Sequence, residues 1–380
     1  MAHILLTANT AWYLANFRAN LIARLRKQGH RVTTLAPRDP YARHLTKLGA
    51  THIDLTIDNA GKNPVRDAML YRSFLRSLDQ HAPDAILSFT VKCNIYAAMA
   101  AQKLGIPILP NISGLGMAFA RNDWTCKLVK LMSRHAFRAL PMMFFQNTED
   151  RQYFIDNGIT FADQSTRLPG SGVELTRFVP VTAPERSCVT FLLVARLLKA
   201  KGVVEFANAA RILCEQGQHV DCLILGPLQP GNSDGVTRAQ IDQWEQWGWV
   251  TYLGESDDVR RHLGASDCVV LPSTYREGVP RSLLEAAAMA KPIITTDRPG
   301  CRDAVEDGIT GLLTAPDAES LAHSMQRMIA LGPRVREAMG QAGRAKMQQE
   351  FDEKLVLDAY QNWLDDQLSV IPTRRACVPA

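Results

Sequence analysis

Residues 268–297 read CVVLPSTYREGVPRSLLEAAAMAKPIITTD. The segment opens with an apolar, β-branched run of strand length, passes through a short loop, enters an alanine-rich helical stretch and closes in a second apolar run, PIITTD. Strand, loop, helix, strand is the repeating unit of a parallel α/β sheet, in which the loop leaving a strand's carboxyl end borders the ligand crevice. Glu277 then lies at the mouth of that crevice and Glu285 about one to two turns into the helix, so the two acids can face one ligand.

The unit recurs on both sides of this segment. HILLTAN, RVTTLAP, HIDLTI, AILSFT, IPILPNIS and MMFFQN form a first series of strands, with helices over residues 16–28 and 95–104 among those between them. VTFLLVAR, DCLILGP, VTYLG, CVVLPS, PIITTD and GLLTAP form a second series. RLPGSGVELTRFVPVTAPERS (residues 167–187), rich in Gly, Pro and Thr, separates them. The pattern predicts an α/β fold of two Rossmann-like, doubly wound domains, 1–180 and 181–351, with 352–380 as a terminal helix and tail.

Composition agrees with two domains. A chain of 380 residues, 46% hydrophobic and 21% charged, exceeds what one core usually holds. Its eight cysteines include no CxxC pair, which points to reduced thiols in a cytosolic setting and away from a disulfide framework or a zinc site. MAHILLTAN lacks the basic region and long apolar core of a signal peptide, and no apolar run approaches the roughly 18 residues of a membrane span. Charge is divided unevenly: residues 1–180 hold 22 Lys and Arg against 12 Asp and Glu, the remainder 21 against 26. WTCKLVKLMSRHAFRAL (residues 124–140) concentrates it, with Lys127, Lys130, Arg134 and Arg138 recurring every three or four residues and Trp124, Leu128 and Leu131 expected on another face. Such a stripe fits a helix resting on an anionic membrane surface, and equally the solvated face of a helix packed on the sheet.

Phosphate chemistry gathers in the second domain. Arg196 and Lys201 lie in the loop leaving VTFLLVAR, ahead of Gly202 and a helical pattern, and the helix starting near Pro280 offers the amides of Val279, Arg281 and Ser282. Taken singly, each cation reads as a solvated loop residue and each glutamate as a helix former or capping residue. Together, two cations and two helix starts suit a diphosphate, and carboxylates on either side of it suit the hydroxyls of a ribose and of a sugar. A nucleotide diphosphate-sugar carries all of these groups.

Across essentially its whole length the chain resembles the family 4 retaining glycosyltransferases, which have the two-domain GT-B fold. EGVPRSLLE matches the E-x7-E motif of that family, and ARLLKAKG, PGCRDAVEDGITGLL and the terminal helix extend the match. SFTVKCNIYAAMAAQKLGIPILPNISGLGMAF is similar to the acceptor side of enzymes that extend undecaprenyl-diphosphate-linked sugars in bacterial glycan assembly. The resemblance implies two domains facing a central cleft, with the terminal helix crossing back to the first. Glu285 would hold the ribose hydroxyls, Glu277 the donor sugar, and Arg196 and Lys201 the departing diphosphate. Gly254 and Glu255 would lie at the nucleobase and Glu306 in the motif closing the donor pocket. Asn9, Trp12, Lys92 and the loop of Ser113, Gly114 and Gly116 would lie on the acceptor side. TANTAWYL carries no glycine pair where the family commonly has one, and NISGLG no histidine.

The implied reaction moves a hexose or N-acetylhexosamine from a UDP-sugar to a polyprenyl-diphosphate-linked saccharide. No cofactor and no metal are expected: the family usually lacks the D-x-D metal motif, and none occurs here. The expected partners are the UDP-sugar, the lipid-linked acceptor and an anionic membrane surface, with no nucleic acid, and the expected location is the inner face of the cytoplasmic membrane. Other readings are a GT-B transferase for a soluble sugar acceptor, a UDP-sugar 2-epimerase of the same fold, and a UDP-binding module without turnover.

Overall fold

The computed structural model describes residues 1–58, 63–115, 124–181 and 187–370. The chain divides into two compact units, Met1–Leu168 with the chain from Leu355 on, and Pro169–Lys354.

Each unit is built on a parallel sheet. In the first, the described strands are β1 (His3–Thr7), β2 (Arg31–Ala36), β3 (Thr51–Asp54), β4 (Ala85–Phe89), β5 (Ile108–Ile112), β6 (Met143–Phe145) and β7 (Ser165–Arg167), in the order β3-β2-β1-β4-β5-β6-β7. In the second they are β8 (Val189–Val194), β9 (Val220–Leu225), β10 (Thr251–Tyr252), β11 (Cys268–Leu271), β12 (Ile293–Thr296) and β13 (Gly311–Thr314), in the order β10-β9-β8-β11-β12-β13. Two strands run outward from the first on one side, then the chain restarts on its other side. Each sheet therefore has a topological switch point, between β1 and β4 and between β8 and β11, and ligands of such sheets bind outside the carboxyl ends of the strands there.

Strands read as continuous apolar runs because helices cover both faces. In β1, Leu5 packs into a core with Phe74 and Leu78 on one face, while its neighbours Ile4 and Leu6 join Leu14, Leu21 and Leu25 on the other. In β8, Phe191 and Leu193 meet Phe206 and Leu213, and Leu192 meets Leu283 and Leu284. Parallel pairing of Cys268 with Phe191 and of Val269 with Leu192 fixes the register of β11 on β8, and so fixes which loops meet at its end.

The domain boundary differs from the expected residue 180. Residues 169–181 read as a linker by composition but belong to the second unit: Val173 bridges to Asp352, Phe178 is buried, and the Arg344 guanidinium donates to the Phe178 carbonyl at 2.9 Å. The helix Glu353–Val370 joins the first unit from Leu355, burying Val356, Tyr360, Trp363 and Leu364 with Leu6 and Phe89. Two other differences are local. The helix expected over residues 16–28 is split into Ala11–Phe17 and Ala19–Lys27 at Arg18, whose guanidinium turns inward over the Phe89 ring at 4.4 Å. β7 carries no apolar signature, since two of its three residues are exposed.

Candidate active site

The loops after β8 and β11 are stitched together at the switch point of the second unit. Gly202 ends the β8 loop with φ +76°, and a Cβ there would stand 2.0 Å from the Pro272 carbonyl oxygen, so only glycine lets the loops run this close. The Ala200 carbonyl accepts the Thr274 N–H at 3.0 Å and the Ser273 hydroxyl at 3.2 Å. From the β12 side, Gly300 (φ +82°) would place a Cβ 1.5 Å from the Gly278 carbonyl, and the Glu277 N–H donates to the Pro299 carbonyl at 3.3 Å. Glu277 is thus held between three loops.

Its side chain is paired. The Lys201 ammonium donates to Glu277 Oε1, with the two side chains only 13% and 10% exposed, and the Ser273 hydroxyl donates to the same oxygen at 2.9 Å. Lys201 also lies over the Tyr275 ring, 5.2 Å from its centroid. Burial works to lower the Lys201 pKa, but the Glu277 carboxylate and then Tyr275 outweigh it, leaving the ammonium above its ordinary value. Burial pushes the Tyr275 phenol up as well, against the pull of Lys201. Arg196 is exposed on the same loop. The sequence assigned Lys201 and Glu277 to different parts of the ligand; here they form one unit.

The helix Arg281–Ala288 starts beside this pair, with Pro280 as its N-cap. Its first intrahelical bond is Leu283 N–H to Pro280 O at 3.1 Å, so the amides of Arg281 and Ser282 precede the ladder, while the Val279 side chain is buried in the core. Arg281 Nε donates to Glu285 Oε1 at 2.8 Å, one turn along the helix, with side chains 19% and 13% exposed. Burial raises the Glu285 carboxyl above the usual range, against the pull of Arg281 and, more weakly, of Arg177.

Gly254 and Glu255 follow β10, and the Gly254 carbonyl accepts the Gly226 N–H at 2.8 Å, placing them at the carboxyl edge of the same sheet, with Glu255 exposed. Glu306 is not brought to the group. It is exposed in the turn before β13, its N–H donates to the Thr310 hydroxyl at 2.8 Å, and that turn leads to Gly311, paired with Ile293 at the start of β12 rather than at its carboxyl end.

In the first unit, the loops after β1 and β4 also meet: the Asn9 N–H donates to the Thr90 hydroxyl at 3.2 Å. Thr10 caps the helix Ala11–Phe17 by accepting the Tyr13 N–H at 3.0 Å, which orders the loop where the family commonly has glycines. Trp12 is 39% exposed, and its N–H donates to Asp39 at 2.8 Å. Lys92 is bound to Asp67 at 2.8 Å, a partner that sequence reading missed because it comes from another helix. Ser113 and Gly114 follow β5, with the Leu115 N–H on buried Asp150 at 3.1 Å; Gly116 lies outside the described residues. Asn9, Lys92, Ser113 and Gly114 thus share the carboxyl edge of one sheet.

The basic helix Trp124–Phe137 departs from its expected pattern. Cys126, Ser133, Ala136 and Phe137 are buried, whereas Leu128 and Leu131 are 46% and 63% exposed. At about 100° per residue, Lys127, Leu131 and Arg134 fall within about 60° of one another, so apolar and basic side chains share the outer face. Lys130 reaches Asn157 at 3.3 Å, the Arg134 guanidinium donates to the Asn157 carbonyl at 2.6 Å, and Arg138 lies 5.6 Å from the ring centre of half-exposed Phe161. The side chain of Trp124 lies outside the described residues. Among the described residues no helix is long and apolar enough to cross a membrane.

Residues 183–346 match the glycosyl transferases group 1 family, and residues 14–170 match the glycosyl transferase 4-like domain. The chain is a GT-B glycosyltransferase of this family. The enzyme is 26% identical over 317 residues to N,N'-diacetylbacillosaminyl-diphospho-undecaprenol alpha-1,3-N-acetylgalactosaminyltransferase of Campylobacter jejuni, covering 78% of this chain and 81% of that protein. It is 24% identical over 278 residues to UDP-Gal:alpha-D-GlcNAc-diphosphoundecaprenol alpha-1,3-galactosyltransferase of Escherichia coli, covering 70% and 71%. Its fold is similar to that of HepE of Anabaena, solved in complex with UDP-glucose, with a TM-score of 0.80 at 17% identity over 96% of this chain and all of that one.

Proposed function

We propose that the enzyme transfers a hexose or N-acetylhexosamine from a UDP-sugar to a saccharide carried on polyprenyl diphosphate, with retention at the anomeric carbon. The observation that carries this reading is the Lys201–Glu277 pair at the β8/β11 switch point, with Arg196 on the Lys201 loop and the Glu285 helix starting just after Glu277 in the chain. In this reading the pyrophosphate lies against Arg196, Lys201 and the amides of Arg281 and Ser282. Glu285 takes the ribose diol, and Glu277 takes a hydroxyl of the donor sugar. The acceptor class is supported by the two relatives named above, whose names specify diphosphoundecaprenol-linked substrates. Both names also specify α linkages, and UDP-hexoses carry the sugar as an α-glycosyl phosphate, which supports retention.

The acceptor hydroxyl attacks the anomeric carbon from the side the diphosphate leaves. The glycosidic C–O bond to the β-phosphate breaks, the new C–O bond forms, and the β-phosphate oxygen takes the acceptor's proton, releasing UDP and the extended saccharide. Arg196, Lys201 and the helix start stabilise the charge that grows on the leaving oxygen, so the reading includes turnover in EDTA.

A screen of UDP-hexoses and UDP-N-acetylhexosamines against polyprenyl-diphosphate-linked sugars, with the product anomer read by NMR, tests this. An α-linked product formed in EDTA supports it. Transfer only to soluble sugars, sugar epimerisation without an acceptor, or UDP binding without turnover would overturn it. The enzyme docks on the inner face of the cytoplasmic membrane through the outer face of the helix Trp124–Phe137, where Lys127 and Arg134 flank exposed Leu131.

A further inference from the structure

Glu285 is a costly residue to bury, and three elements converge on it. The helix that carries it supplies Arg281, at 2.8 Å from Oε1. Residues 169–181 supply Arg177, whose charge reaches both Glu285 and Asp258. The loop after β10 supplies Asp258, which is held by Arg260 in a two-point fork, Nε to Oδ1 at 2.8 Å and the terminal nitrogen to Oδ2 at 2.6 Å. That fork neutralises Asp258 locally and keeps Arg260 occupied, so Arg281 is the cation in direct hydrogen-bond contact with Glu285. Its geometry is one-sided: Nε bonds a single carboxylate oxygen.

We propose that Arg281 is a positioning residue for donor binding: by holding Oε1 of Glu285 it turns the second carboxylate oxygen toward the donor's ribose. This rests on the ribose role given to Glu285 above. An ionised carboxylate accepts hydrogen bonds from both hydroxyls of a diol, whereas a protonated one spends an oxygen as a donor. Burial favours the protonated form, and Arg281 opposes burial most strongly; Arg177 adds to it and Asp258 subtracts. Without Arg281, affinity for the nucleoside then depends on the protonation of Glu285, gained as pH rises and lost as it falls.

The test measures UDP and uridine affinity for the full-length wild type, Arg281→Met, Arg281→Lys and Glu285→Gln between pH 7.5 and 8.5, above the titration of the UDP phosphates and below that of the uracil N3–H. The expected result is a loss of roughly tenfold for Arg281→Met at pH 7.5, equal for UDP and uridine and smaller at pH 8.5, with partial rescue by Arg281→Lys. Loss for UDP with uridine unaffected would overturn the proposal by making Arg281 a phosphate ligand. So would wild-type affinity in Arg281→Met alongside a loss in Glu285→Gln. Wild-type affinity in Glu285→Gln would instead remove the ribose assignment itself.

Discussion

Lys201 and Glu277 hold each other before any substrate arrives, so removing either does two things at once. Lys201→Met leaves a carboxylate that is about one-tenth exposed without its cation, and breaking a buried pair from one side costs about 3–5 kcal/mol. Taken singly in the sequence, Lys201 reads as a solvated loop cation; its burial beside Glu277 reverses that reading. Arg196 is exposed, and Arg196→Gln should lower kcat by roughly 100-fold with an unchanged melting temperature, whereas Lys201→Met should lose both, as paired melting and turnover measurements will show. The pair's contribution to stability should be constant through neutral pH, since a lysine pKa raised by folding is lost only as pH climbs through that raised, strongly alkaline value. For Glu285 the protonated form that folding favours is the neutral one. Its raised pKa means that the fold favours the protonated acid, a stabilisation present at low pH and lost as pH rises through the folded value. Glu285→Gln should therefore melt higher than wild type at pH 8, with the gap closing toward pH 4. A variant that melts lower at pH 8 would show that the Arg281 bond outweighs burial.

At the scale of elements, the site depends on two glycines with left-handed backbone and no room for a side chain. Gly202→Ala and Gly300→Ala each force a Cβ against a carbonyl oxygen of a neighbouring loop, and each should cost more than about 2 kcal/mol in chemical denaturation while depressing turnover. Tolerance of either substitution would mean that the loops give way. Most elements around these positions were legible in the sequence: apolar runs covered on both faces announced twelve strands, and EGVPRSLLE announced the helix that carries Glu285. What stayed hidden depends on side chains meeting across elements. The hydrogen bond of Ser273 to Glu277, the Tyr275 ring under Lys201, Asp67 on Lys92, and the reach of Arg177 to Glu285 have no signature in spacing. Leu131 was misread because four recurring cations look like a whole helix face, while Lys127 and Arg134 in fact flank it.

At the scale of the whole molecule, composition marked residues 167–187 as a joint, yet burial of Val173 and Phe178 binds most of that segment to the second unit. The first unit is completed by the chain's last helix. The Tyr360 hydroxyl meets buried Asn111 Nδ2 at 2.5 Å, so Tyr360→Phe should cost about 1–3 kcal/mol by leaving that amide without its acceptor, and Trp363→Ala about 3–5 kcal/mol. Both losses should appear in thermal unfolding, with UDP affinity retained. The proposed docking on a membrane belongs to the same unit, which holds 23 basic residues against 14 acidic ones over residues 1–168 and 355–380. Co-sedimentation with anionic vesicles should fall as salt rises, and fall further when Lys127, Lys130, Arg134 and Arg138 become Gln, while exposed Leu128 and Leu131 leave a salt-resistant fraction. A protein that ignores such vesicles at low salt would favour a soluble acceptor.

The placement of the donor in the second unit is tested most directly by titrating UDP into wild type, Glu285→Gln and Glu277→Gln and then following a single turnover of the complete donor in each. Glu285→Gln should bind UDP roughly tenfold more weakly. Glu277→Gln should bind UDP within about twofold of wild type and transfer sugar roughly 100-fold more slowly. Wild-type UDP affinity in Glu285→Gln together with wild-type turnover in Glu277→Gln would place the donor elsewhere.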